Sequence, residues 1–432
     1  MAEYSEYKES DQQWLGKIPS HWKILPGKAI FEENKSRNKD NQENFVLSLS
    51  YGKIIPKKDI NEGLVPDNYS SYQIVKPGYI IVRCTDLQND KVSLRTGLVQ
   101  HTGIISGAYL GLIPKDKYSS SFLQYLLFDW DISKELYRYG SGLRQSLSWE
   151  DIKYLLLPIP PKEEQEAIVA YLDKVTTDID KAIAAKERII ASLEERRKII
   201  ITHAVTRGIN PDAPLKDSGI DWLGEIPVHW KIRKLKSLAE IKGRIGFRGY
   251  TNEDMVEEGE GAITLSPSNV NNGIVEYDKC SYLSWHKYYE SPEIMVEEGH
   301  LLFVKTGSSY GKTGIVNHLP KEATINPQFS LIKPQKIDSK FLNFTFATDY
   351  LKSQVESGVI GSTIPTISQA KIKNFQILVP PTEEQKVILN KLENMLSPIE
   401  EAITQQKKLI ELLRERKNII INETVTGKVK VI

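Results

Sequence analysis

A run that opens on two prolines occurs twice in this chain and limits what the rest can fold into. Pro160-Pro161-Lys162-Glu163-Glu164-Gln165 returns as Pro380-Pro381-Thr382-Glu383-Glu384-Gln385. Leu193-Glu194-Glu195-Arg196-Arg197-Lys198-Ile199-Ile200-Ile201 returns as Leu413-Arg414-Glu415-Arg416-Lys417-Asn418-Ile419-Ile420-Ile421. Both pairs are offset by 220 positions, so nothing was gained or lost between the two anchors. Each copy predicts one long helix. The prolines bar a helix before it, because the residue preceding a proline is pushed to extended geometry. The Glu-Glu that follows sets negative charge on the positive end of the helix dipole. Counting the polar breaks, positions then step by four and three through Ile168, Leu172, Val175, Ile179, Ala182, Ile189, Leu193 and Ile200. The second copy runs through Ile388, Leu392, Met395, Ile399, Ala402, Leu409, Leu413 and Ile420. The polar breaks, Lys186 and Arg196 against Gln406 and Arg416, fall at the same places. This is a heptad seam, and matched register with matched breaks is not expected of two unrelated core helices. A helix of roughly 40 residues is about 60 Å long. Pro398 stands in the second copy where Asp178 stands in the first, and is expected to kink or break that helix.

A second repeat precedes each body. Trp14-Leu15-Gly16-Lys17-Ile18-Pro19-Ser20-His21-Trp22-Lys23 returns as Trp222-Leu223-Gly224-Glu225-Ile226-Pro227-Val228-His229-Trp230-Lys231, offset by 208. So long a period excludes a short-repeat solenoid and implies two domains alternating with two helices in approximate twofold symmetry. The divisions are residues 1–160, a first domain; 161–207, a spacer helix; 208–380, a linker and second domain; and 381–432, a second spacer helix and tail. The bodies match more faintly, at Pro77–Arg83 with Glu298–Val304 and at Ser148–Lys153 with Ser368–Lys373, and their loops differ in length. Short runs rich in β-formers, such as Phe45–Leu49, Tyr79–Arg83, Leu110–Ile113, Ala262–Leu265, Leu301–Lys305 and Leu331–Lys333, alternate with turn residues and read as strands. Ser119–Tyr139 and Ser339–Val355 read as helices, so each body is α+β with an irregular, mostly antiparallel sheet. Gly208–Gly219 reads as a linker.

The 432 residues, 40% hydrophobic and 26% charged, suit a soluble protein of two or three domains. No apolar run is long enough to span a membrane, and the first residues have no signal-peptide pattern. Cys84 and Cys280, the only cysteines, suggest neither a disulfide framework nor a zinc site, so a reducing cytoplasm is expected. The net charge of +1, with acids and bases balanced in both bodies, does not advertise nucleic acid. It leaves local fields open.

Three fragments imitate catalytic motifs. Gly307-Ser308-Ser309-Tyr310-Gly311-Lys312-Thr313 is one residue short of a phosphate-binding loop, and no helix follows it. Asn326-Pro327-Gln328-Phe329 resembles the target-amine clamp of amino-methyltransferases, with the wrong third residue and no S-adenosylmethionine fold around it; a turn is expected there. Pro211-Asp212 with Glu240-Ile241-Lys242 has the letters of a nuclease site, but the first pair falls in the linker. The histidines form no metal-ligand spacing, and His21 and His229 are expected to be ordinary exposed or core histidines.

Two variable bodies, each followed by a Pro-Pro-x-Glu-Glu-Gln helix that ends near Glu-Arg-Arg/Lys, resemble the specificity (S) subunit of type I restriction-modification systems. The likeness covers nearly the whole chain and includes Leu47–Ile55, a stretch similar to one found in a group of its recognition domains. The resemblance implies two target recognition domains, each reading half of a split site in double-stranded DNA. It implies that the helices pack as an antiparallel coiled coil, space the domains and dock two modification subunits, which restriction subunits join. S-adenosylmethionine, ATP and Mg would belong to those partners, leaving this chain with no cofactor, no metal and no catalysis. Base reading needs donors and acceptors on loops, over a wider set of phosphate contacts. Candidates in the first domain are Tyr51, Lys53, Arg83, Arg95, Arg144 and Gln145. In the second they are Arg244, Arg248, Ser266, Asn269, Lys305, Ser308, Tyr310 and Lys312. The alternative is a coiled-coil scaffold that brackets two protein partners without DNA affinity, for which the neutral charge is the best argument.

Overall fold

A computed structural model describes residues 3–57, 68–85, 87, 94–138, 146–220, 223–361 and 364–431. The chain divides into two compact units, residues 1–187 with 407–432 and residues 188–406. The units therefore do not follow the sequence divisions, because each long helix gives its first part to one unit and its last part to the other. No helix among the described residues is long and apolar enough to cross a membrane.

In the first unit four strands, β1 (Phe31–Glu33), β2 (Ile80–Val82), β3 (Thr96–Leu98) and β4 (Leu110–Pro114), form an antiparallel sheet in the order β1-β4-β2-β3. Every residue of β2 is buried, so it reads as an unbroken apolar run rather than an alternating one. The helix Ser120–Ile132 begins where the Ser119 hydroxyl accepts from Phe122 N–H, and it buries Phe122, Leu123, Leu126, Leu127 and Trp130. In the second unit β5 (Ala239–Lys242), β6 (Leu301–Val304), β7 (Thr313–Ile315) and β8 (Phe329–Pro334) repeat that order as β5-β8-β6-β7. Two short strands, Ile274–Val275 and Val270–Asn271, extend the sheet. A further sheet of this unit is built on Gly261–Leu265, Ser281–Ser284 and Ala323–Ile325. The expected long helix over 339–355 is two helices, Ser339–Phe346 and Asp349–Gly358. The expected linker contains a strand: Leu215–Asp217 pairs with Glu225–Pro227 as Tyr7–Glu9 pairs with Lys17–Pro19. Lys216 Nζ donates to the carbonyls of Val228 and Trp230, as Lys8 Nζ does to those of Ser20 and Trp22.

The long helices are α1 (Lys162–Arg207) and α2 (Thr382–Val425). Their shared opening motif is explained by what its side chains hold. Glu164 accepts from Trp22 Nε1 (3.1 Å), His21 Nε2 (2.8 Å) and the Tyr4 hydroxyl (2.5 Å). Glu384 accepts from Trp230 Nε1 (3.1 Å) and His229 Nε2 (2.7 Å). Gln165 accepts from Ser119 N–H and donates to the Pro160 carbonyl; Gln385 does the same with Asp338 and Pro380. The indoles of Trp22 and Trp230 are buried, so each would carry an unmet donor without its glutamate.

Within each unit the helix segments run antiparallel. Lys417 meets Asp180 (2.7 Å) and Arg414 meets Glu187 (3.4 Å) in the first, and Arg197 meets Glu400 (3.3 Å) in the second. Asn422 donates to Asp129, a carboxyl whose pKa burial pushes up to about 6. Of the expected seam, Ile168, Leu172, Ile179, Ile388, Leu392, Ile399 and Ile420 are buried, and Val175, Leu193, Ile200 and Leu413 are half-buried. Ile189, Met395 and Leu409 are exposed, which corrects the heptad reading. The buried stripe passes instead through Thr176, Ile183, Ile201 and Ala204, and through Leu396, Ile403 and Ile410. A straight helix turns about 20° per heptad away from a 3.5-residue repeat, so a seam of fixed heptads slides off the buried face within a few turns. Pro398 does not end α2, which runs through it. The proline is on the exposed side, and the carbonyl it leaves unpaired belongs to Asn394, on an exposed turn within reach of water.

Placing aspartate at both Ile183 and Ile403 is expected to cost about 3 kcal/mol or more per site, because each leaves an uncompensated charge in an apolar seam. The same change at Ile189 and Leu409 should stay within about 0.5 kcal/mol per site. Urea unfolding followed by circular dichroism distinguishes the two, and equal losses would refute the corrected stripe.

Candidate nucleic-acid interface

Four loops of the second unit converge at one end of its main sheet. They follow β5 (residues 243–249), join β6 to β7 (305–312), precede β8 (326–328) and precede the helix Gln369–Lys373 (359–361 and 364–368). Backbone bonds fasten them together. Lys305 N–H donates to the Gln328 carbonyl (2.8 Å), Gly307 N–H to Pro365 (3.1 Å) and Ile367 N–H to Lys305 (2.8 Å). A Cβ on Gly243 would collide with the Gln369 amide nitrogen at 2.2 Å, so a side chain at that position would displace the amide. At the corresponding place in the first unit Leu147 N–H donates to the Cys84 carbonyl (2.9 Å).

Several predicted readers serve these loops rather than project from them. Arg95 is buried; its Nε donates to the Tyr137 hydroxyl (3.0 Å) and its Nη1 to the carbonyls of Arg83 (3.2 Å) and Thr85 (2.7 Å). Arg244 is buried, with Nη2 on the Thr324 hydroxyl (3.1 Å) and Nε on the Ile325 carbonyl (3.3 Å). Asn269 is buried, and its amide donates to the carbonyls of Glu276 and Lys279. These three are corrected from readers to loop supports: a buried side chain bonded to main-chain carbonyls has no edge left for a base. Ser266 closes the same turn by bonding Asn269. Lys312 donates to Pro267 O (3.3 Å) and Asn271 Oδ1 (3.5 Å), and Arg248 pairs with Glu293 (3.4 Å). Tyr310 packs half-buried against the core and Arg83 is half-buried. Arg144 and Gln145 lie outside the described residues.

Others stand free of such duties. Ser308 is exposed on the 305–312 loop. Lys305 is half-buried, and burial alone lowers its pKa, which favours an anion at its ammonium. Tyr51 and Lys53 sit at the tip of the hairpin Leu47–Ser50/Lys53–Pro56. Tyr51 and Gly52 both have positive φ (47° and 74°), the two-residue turn whose twist suits a hairpin. Glycine or asparagine usually stands there, yet Tyr51 holds this strained conformation while 90% exposed. Gln328, which sequence reasoning placed only in a turn, has its amide nitrogen against Gly307 on the same loops. That turn is Asn326–Phe329, where Gln328 N–H donates to Asn326 Oδ1 (3.0 Å). The near-P-loop is the β6–β7 hairpin loop, with a strand after it.

A family model described as "Type I restriction modification DNA specificity domain" matches residues 96–194 and 227–412. The type I restriction enzyme MjaVIII specificity subunit of Methanocaldococcus jannaschii is 26% identical over 339 residues, 76% of this chain and 75% of that protein. The MjaIX specificity subunit of the same organism is 23% identical, covering 99% and 97%. A solved chain from work on complex assembly and conformational transition of the type I R-M system matches with a TM-score of 0.69 at 17% identity, covering 95% of this chain and 99% of that one.

Arg95→Ala and Arg244→Ala are each expected to lower stability by about 1–3 kcal/mol, through buried carbonyls left unpaired, whereas Ser308→Ala should leave the urea midpoint in place. An Arg95→Ala or Arg244→Ala chain that unfolds like the parent but selects different DNA would restore those residues as readers.

Proposed function

The chain belongs to the type I restriction modification DNA specificity domain family, and we propose that each of its two units reads one half of a split DNA site while the long helices hold the modification subunits. The chain is the non-catalytic specificity component of such a system. One observation carries the two-reader scheme: the sheets share their strand order and helix fastening, while the loops at the other end differ. Two different half-sites need two different sets of loops on one frame. DNA-specificity membership tells against the scaffold without DNA affinity. S-adenosylmethionine, ATP and Mg are assigned to the partner subunits and the complex to the cytoplasm.

Exchanging residues 1–160 for the matching domain of another specificity subunit is expected to change one half of the methylated motif, read by sequencing modified host DNA. A change in both halves would defeat the two-reader scheme.

The helices also supply matched outward surfaces. Ile189 and Leu409, and Ile199 and Ile419, are exposed apolar residues related by the 220-residue offset. Exposed apolar residues that recur at the same helix positions in both copies suit two copies of one partner, here the modification subunit. Ile199→Asp and Ile419→Asp should each weaken one of the two docking contacts. Native mass spectrometry is expected to show complexes with one modification subunit for each single variant. Two bound subunits in both variants, at limiting concentration, would place the docking face elsewhere.

A further inference from the structure

We propose that Ile360 and Ile364 enter the major groove of the half-site read by the second unit and meet thymine methyl groups there, Ile364 first among them. The inference rests on the DNA-reading function above and adds to it the chemistry of one contact.

Ile360 and Ile364 are 69% and 63% exposed, more than any other large aliphatic side chain among the described residues. They are held there. Ile360 and Thr366 exchange both backbone bonds at 3.0 Å. Gly307 N–H donates to the Pro365 carbonyl and Ile367 N–H to Lys305. Pro365 fixes its own backbone angle directly after Ile364. Two isoleucines this exposed gain nothing in folding, so their apolar surface is available for a ligand.

The surroundings choose the ligand. Pro365 and Ile367 are bonded directly to the loop that carries Lys305 and Ser308, with the Gln328 amide against Gly307. A cation, a hydroxyl and an amide are the groups that bind phosphate and base edges. Two side chains are far too little apolar area for a stable protein interface. They are enough for the one apolar feature of the major groove, the 5-methyl of thymine. The 220-residue offset sets Arg144 opposite Ile364 in sequence, so the two halves differ in chemistry at this position. Arginine's usual partner is guanine.

The test uses the chain assembled with its modification subunits, on a duplex carrying the motif mapped from host DNA. Every thymine of the second half-site is replaced by deoxyuridine, which removes only the methyl groups. Binding of the parent complex, followed by fluorescence anisotropy, is expected to weaken about fourfold for one lost methyl contact. The Ile360→Ala, Ile364→Ala double variant is expected to bind the thymine duplex correspondingly less well and to be indifferent to the replacement. Both sites are exposed, so its unfolding midpoint should match the parent's. A parent indifferent to deoxyuridine, or a double variant still sensitive to it, overturns the proposal. So does a double variant that sheds a modification subunit instead. Failure of the DNA-reading function itself looks different: the parent would not distinguish the motif from a scrambled duplex.

Discussion

The carboxylates of Glu164 and Glu384 are where this architecture is joined. Each takes the indole N–H of a buried tryptophan and a histidine N–H from the motif that opens its unit. The same tryptophans also meet the far end of the other helix. A Cβ on Gly427, just past α2, would lie 3.2 Å from the Trp22 ring, and one on Gly208, just past α1, 3.3 Å from the Trp230 ring. Both glycines have positive φ, as helix-ending residues commonly do. One indole thus registers the start of one helix against the finish of the other. Charge-assisted bonds to a partly buried carboxylate are stronger than neutral ones, and their directionality fixes how the helix leaves the domain.

The proposed reading of a split site would need that fixity. If a domain could swivel on its helix, loops that contact DNA would lose their register on it, and contacts that distinguish bases depend on sub-ångström placement. The glutamines complete the joint. Gln165 and Gln385 tie the proline carbonyl before the helix to the first residues of a domain helix, Ser119 and Asp338. The ion pairs between helix segments add little by comparison, being exposed.

What could be read from sequence follows from what repeats in sequence. The two helices and the tryptophan motifs were legible because the chain states them twice; the shared strand order was not. The depth of the seam was less so. Ile189 and Ile190 are both apolar neighbours, and a heptad count chooses the first where a straight helix turns the second inward. The readers were least legible. Arg95 and Arg244 have the right chemistry for DNA, but side chains that bond buried carbonyls have the same letters, and only the fold shows which carbonyls need them. The strand Leu215–Asp217 was hidden because its pairing rests on backbone and one lysine.

The two ends of each unit are held together by different kinds of bond, and this explains why one end repeats and the other drifts. At the helix end the bonds come from side chains: Lys8 and Lys216 to carbonyls, tryptophan to glutamate, glutamine to proline. A substitution there breaks the joint. At the loop end the fastening runs from backbone to backbone, Leu147 to Cys84 in one unit and Ile367 to Lys305 in the other. Such a bond ignores the side chain, so cysteine and lysine serve equally at that position. The buried arginines are the exception, and they brace the loops from beneath. Loop surfaces can therefore change residue by residue while the frame stands, the condition that the proposed two-reader scheme requires.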